Sequence, residues 1–95
     1  MSRFGQKLKN LRLANGLSVR GFASQFKKSP GYISRIEGRG EIPSTEFVAQ
    51  VATFFETDLE ELLELLKKDQ LQKAEEDIDS KHESTIQLFR KGKKK

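Results

Sequence analysis

Ser18-Val19-Arg20-Gly21-Phe22-Ala23-Ser24-Gln25-Phe26-Lys27-Lys28-Ser29-Pro30-Gly31-Tyr32-Ile33-Ser34-Arg35-Ile36-Glu37-Gly38 is the stretch that decides the fold. Val19, Phe22, Ala23 and Phe26 fall at i, i+3, i+4 and i+7, which is one face of a helix, and Ser18 stands where an N-cap belongs. Ser29 opens a second helix, with Pro30 at its first position, where a missing N–H is no loss. Ile33 and Ile36 point inward, and Gly38 is expected to close that helix. Two short helices meeting across a tight turn near Lys27-Lys28 can hold the second one proud of the surface. Its outward positions are then Pro30, Gly31, Ser34 and Arg35.

Working outward, the pattern stays helical. Phe4, Leu8 and Leu11 share a face of a first helix over roughly Arg3 to Ala14, which Asn15-Gly16 ends. Arg39-Gly40-Glu41-Ile42-Pro43 reads as a loop. Ser44 caps a fourth helix with Phe47, Val48, Val51, Ala52 and Phe55. Asp58 caps a fifth, where Glu61 completes a capping-box pattern and Leu59, Leu62, Leu63 and Leu66 form the apolar stripe. The fold expected is all-α: a five-helix domain over 3–67 and a partly helical C-terminal extension over 68–95. In that extension Leu71, Ala74 and Ile78 keep a thin helical spacing, Asp79 to Ser84 looks like a break, and Ile86, Leu88 and Phe89 cluster. The Leu71 to Phe89 segment is open between an oligomerisation element and a frayed extension. The basic tail Lys91-Gly92-Lys93-Lys94-Lys95 reads as disordered, and serves as a DNA-binding arm, a solubilising end or an anionic-membrane contact.

Composition narrows the function classes. The 95 residues include no cysteine, so disulfides and thiolate zinc sites are excluded. No apolar run approaches the roughly 20 residues of a membrane span, and no signal-peptide pattern is present. A soluble, cytoplasmic protein is the expectation. Met1 to Pro43 holds nine Lys/Arg against two acids, Ser44 to Glu83 four against twelve, and Ser84 to Lys95 five against none. Such polarity favours a polyanion on one face, although solvated charge without a partner gives the same count. The major groove of DNA, about 12 Å wide, admits one helix. There the Arg35 fork can donate twice to guanine, Ser34 can reach base or phosphate, and Gly31 permits close approach. Ser18 and Ser29 mark helix N-termini that favour phosphate, and Arg20, Lys27, Lys28 and Arg39 flank the surface. The bland alternative is a plain core helix with solvated polar residues.

Gly16-Leu17-Ser18-Val19-Arg20-Gly21-Phe22-Ala23, then Ser29 to Glu37, then Pro43-Ser44, resembles the lambda-repressor/Cro-type (Xre) helix-turn-helix family, in an order that holds from Phe4 to Leu66. The resemblance implies a regulator that binds operator DNA, usually as a dimer. It implies base contacts at Gly31, Ser34 and Arg35. It implies phosphate contacts around the start of the second helix and Arg39, a set comprising Ser18, Val19, Arg20, Lys27, Lys28, Ser29, Tyr32 and Arg39. It also implies a structural ion pair between Arg12 and Glu37. Many members carry Gln at the position of Val19, which leaves only the backbone N–H there for phosphate, and Gly at the position of Lys27, so that residue is strained or the turn differs.

Other chemistry finds little support. His82 has no second ligand at metal spacing, Glu60, Glu61 and Glu64 follow a helix cap, and no nucleophile motif occurs. No catalytic residue, metal or cofactor is expected. The Phe22, Phe26, Phe47, Phe54 and Phe55 set suggests a core more than a single-strand stacking platform. A sequence-specific regulator of double-stranded DNA, repressor-like and homodimeric, is the primary reading. The alternative is a protein-interaction adaptor or antitoxin-like regulator that binds its partner through the acidic 44–83 region. A sequence-indifferent architectural DNA binder is a third.

Overall fold

Four serines start four helices. Ser2, Ser18, Ser29 and Ser44 accept hydrogen bonds from the N–H groups of Gly5, Gly21, Tyr32 and Phe47, at 2.8, 3.0, 3.1 and 3.1 Å. Each side-chain oxygen satisfies a donor that the first helical turn leaves free. They open α1 (Arg3–Ala14), α2 (Val19–Gln25), α3 (Pro30–Arg39) and α4 (Thr45–Phe55), and α5 (Leu59–Lys93) follows. The computed structural model describes the backbone of residues 2–93 and the side chains of residues 2–78. The expected five-helix, all-α fold is what forms, with no strand among the described residues. Helix α5 runs on through Asp79 to Ser84, where a break was expected. The side chains of that segment, of His82 and of the Ile86, Leu88, Phe89 cluster lie outside the described residues, as does the end of the basic tail.

Asp58 caps α5, its Oδ1 accepting the Glu60 N–H at 3.1 Å. The expected capping-box partner behaves differently, because the Glu61 carboxylate turns to Lys7 Nζ on α1, 3.4 Å away. Helix ends rely on left-handed residues. Gly16, Lys27 and Glu56, with φ of 68°, 54° and 52°, sit one residue before N–H groups that donate back across the turn. These are Leu17 to the Arg12 carbonyl, Lys28 to that of Ala23 and Thr57 to that of Ala52. Only the first is a glycine, so Lys27 and Glu56 each hold a conformation that costs roughly 1–2 kcal/mol. Helix α3 ends later than expected: Gly38 is still helical, and Gly40 at φ 70° makes the turn.

The core takes Phe4 and Leu8 from α1, Phe22 and Ala23 from α2, and Ile33 and Ile36 from α3. Phe47, Val48, Val51 and Ala52 of α4 and Leu62 and Leu66 of α5 complete it. On α1 the inward stripe runs Phe4, Leu8, Arg12; Leu11, expected inside, is only partly covered. The aromatics pack as core. Phe22 stacks on Phe55 with centroids 5.5 Å apart and meets Phe26 edge-on at 4.9 Å, and among the described aromatics only Phe54 is exposed. Helix α1 crosses α3 so closely that a Cβ on Gly5 would lie 2.3 Å from the Ile36 carbonyl oxygen.

Asp69 closes the fold from the far side. Its carboxylate, on α5 and only 6% exposed, accepts from the Ser2 hydroxyl at 2.7 Å and from the Arg3 and Phe4 N–H groups at 2.9 Å each. Arg3 Nη1 adds a bond to Gln72 Oε1 at 3.1 Å, so α5 engages the domain beyond Lys67. Burial pushes the Asp69 carboxyl up, but the Ser2 hydroxyl, the Phe4 and Arg3 N–H groups and the Arg3 charge outweigh it and hold it below the usual aspartate value.

Two stability predictions follow from these contacts. Gly5→Ala forces backbone apart at a 2.3 Å approach, and is expected to lower the unfolding free energy by about 1–3 kcal/mol. Gly38→Ala meets nothing within 4 Å at a helical position, and should raise it by up to about 1 kcal/mol; urea melts of both variants test the pair. Asp69→Asn is expected to lose about 2 kcal/mol at neutral pH. Because the folded-state value is depressed, that advantage is complete above the unfolded value of about 3.9 and fades as pH falls through the folded one. The denaturation midpoints of wild type and Asp69→Asn should therefore converge in acid, and a gap that persists there would contradict the assignment.

Candidate nucleic-acid interface

Helix α3 is set by what it buries. Ile33 and Ile36 have no exposed surface, which turns Pro30, Gly31, Ser34 and Arg35 to solvent. The turn that presents α3 is built on Lys27, whose left-handed backbone lets the Lys28 N–H reach the Ala23 carbonyl at 3.0 Å. Lys27, Lys28 and Ser29 therefore stand exposed where α3 begins. Lys28 Nζ lies 5.1 Å from the centre of the Tyr32 ring, which meets Phe47 edge-on at 5.3 Å. Tyr32 is half-buried; burial and the nearby Glu41 charge raise its phenol above the usual value, against opposing effects of Arg35 and the Ser44 backbone.

At the start of α2, Ser18 and Arg20 are exposed, while the Val19 side chain packs against the core. The first intrahelical bond comes from the Phe22 N–H to the Ser18 carbonyl at 2.9 Å, so the Val19 and Arg20 N–H groups precede it. Arg39 sits apart from this group. It lines a cleft with Ser2, Gly40, Ile42 and Asp69, on the side of α3 that faces α5.

Arg12 and Glu37 meet inside. Arg12 donates from Nε and Nη2 to the two Glu37 oxygens at 2.9 Å each, and from Nη1 to the Leu17 carbonyl at 2.8 Å. Both side chains are less than a tenth exposed. The two-pronged bond ties the end of α1 to α3 and fixes the rotation of α3 about its axis. A contact without sequence foreshadowing involves Arg35, whose Nε donates to Glu41 Oε1 at 3.2 Å. Its signal lies in the Gly40 turn, which brings the next residue back over α3: the Gly40 and Glu41 N–H groups both point to the Arg35 carbonyl.

A family model described as a helix-turn-helix domain matches residues 3–66. The chain belongs to the helix-turn-helix domain family. Among solved structures, the helix-turn-helix domain is similar to the clp gene regulator ClgR from Corynebacterium glutamicum. That likeness has 28% sequence identity and a TM-score of 0.57, and covers 86% of this chain and 88% of the other. No curated protein matches the chain. Among the described residues of the helix-turn-helix domain, no group of three His, Cys, Asp or Glu side chains is placed to hold a metal ion, and no helix is long and apolar enough to cross a membrane.

The buried pair gives a direct test. Glu37→Gln leaves the Arg12 charge buried without its counter-charge and is expected to cost about 3–5 kcal/mol. Thermal melts should show that loss, whereas Glu60→Gln, an exposed change on α5, should leave the midpoint within the roughly 0.5 kcal/mol typical of surface substitutions.

Proposed function

We propose that this helix-turn-helix protein is a sequence-specific regulator of transcription that lays α3 in the major groove of double-stranded DNA. One observation supports this most: the helix is gripped from beneath by Ile33, Ile36 and the Arg12–Glu37 pair, and its opposite face is open. That face offers base contacts at Gly31, Ser34 and Arg35. Around it, phosphate contacts come from Ser18, Arg20, Lys27, Lys28, Ser29, Tyr32 and Arg39, and from the Val19 N–H. The likeness to a protein described as a gene regulator supports the same reading.

The finer reading is a cytoplasmic, repressor-like homodimer without catalytic activity or cofactor. Two copies would set their α3 helices about 34–36 Å apart, one duplex turn. A second reading, the adaptor or antitoxin-like one, draws support from the exposed Phe54, which lines a shallow groove with Phe26, Ala49 and Gln50.

Selection from a randomised duplex pool, followed by binding measurements over a range of salt, separates these readings. Wild type should select a short, roughly palindromic site. Arg35→Ala should lose about 1–3 kcal/mol of base discrimination at one position in each half-site. Arg39→Ala should weaken binding to every sequence alike and reduce the salt slope by about one. No duplex binding at low salt, together with a stable protein complex, would sink the DNA reading and select the adaptor.

A further inference from the structure

Arg35 lies along its own helix, its guanidinium held at Nε. Its Nη1 rests over Gly31, one turn back, where a Cβ would lie 3.4 Å from it. Its Nε is engaged by Glu41 at 3.2 Å. The Glu41 backbone is fixed over α3, because its N–H donates to the Arg35 carbonyl at 3.1 Å after the left-handed Gly40. Both side chains remain reachable, with 45% and 40% of their surfaces exposed.

We infer that Glu41 is a specificity-determining residue that positions the Arg35 fork for end-on reading of a guanine; the inference rests on the DNA-binding function proposed above. An arginine can offer a base edge either its two Nη atoms or Nε with one Nη. Glu41 occupies Nε, so the two Nη donors remain for the O6 and N7 acceptors. The seat over Gly31 directs them toward the N-terminal half of α3, the part of such a helix that reads bases. Holding a long side chain in place before binding removes part of the ordering loss that binding otherwise incurs. The Glu41 charge also acts on the wrong contact. It repels a phosphate approaching Arg35, which discourages the guanidinium from settling on the sequence-independent backbone.

Glu41→Gln keeps the shape and removes the charge. With duplexes drawn from a randomised pool, the position at which Arg35→Ala loses its base preference is located first. At that position Glu41→Gln should show roughly tenfold less preference for guanine, with tighter binding to scrambled duplex and unchanged preferences elsewhere. Uniformly tighter binding with the guanine preference intact would reduce Glu41 to a repelling charge and overturn the inference, leaving the DNA-binding reading in place. A sharper guanine preference would make it a competitor for Arg35, and overturns the inference equally. Failure of the unaltered chain to bind any duplex would remove the parent reading and this one together.

Discussion

The surface of this domain depends on a side-chain bond beneath it. Arg12 spans the end of α1, the Leu17 carbonyl and the Glu37 carboxylate with three donors at 2.8 to 2.9 Å. A buried ion pair is weak as a source of net stability, since two charges must leave water. It is strong as a source of direction, because a planar fork on a carboxylate tolerates little rotation. Greasy contacts at Ile33 and Ile36 alone would let α3 roll; the pair sets which residues face out. The Gly5 approach to the Ile36 carbonyl then sets how near α1 lies. Orientation of the outward face of α3 is thus inherited from the interior.

Charge is sorted by the same packing. Both acids that precede Pro43 are engaged by arginines, Glu37 by Arg12 and Glu41 by Arg35. Arg3 and Lys7 turn to Asp69 and Glu61 of α5. Among the described residues, Lys9, Arg20, Lys27, Lys28, Arg39, Lys67, Lys68 and Lys73 make no ion pair. Three of these eight, Arg20, Lys27 and Lys28, stand exposed on the α2–α3 unit, and leave a positive field beside the open face of α3.

Helix starts were legible in the sequence because capping is local: Ser18, Ser29, Ser44 and Asp58 act within three residues of themselves. Helix ends were less legible. Lys27 and Glu56 adopt left-handed conformations that their residue types do not favour, and tertiary packing decides them. Periodicity placed Leu11 inward, whereas its neighbour Arg12 takes that place because Glu37 waits across the interface. The outward face of α3 was readable from Ile33 and Ile36. The Arg35–Glu41 contact was not, since it depends on the geometry of the Gly40 turn. Asp69 left a readable trace: it continues the Leu62, Leu66 stripe by three residues, and a carboxylate on a buried stripe must be satisfied by something.

That carboxylate has a consequence for how the molecule opens. Residues 2–4 and residue 69 are joined by three hydrogen bonds, so the first turn of α1 and the first third of α5 protect one another. The family match ends at Leu66, one turn short of this clasp. The two segments should therefore exchange their amide hydrogens as one cooperative unit, although they flank opposite ends of the matched region. A chain cut after Leu66 would fray from its beginning, although nothing near its beginning had been changed.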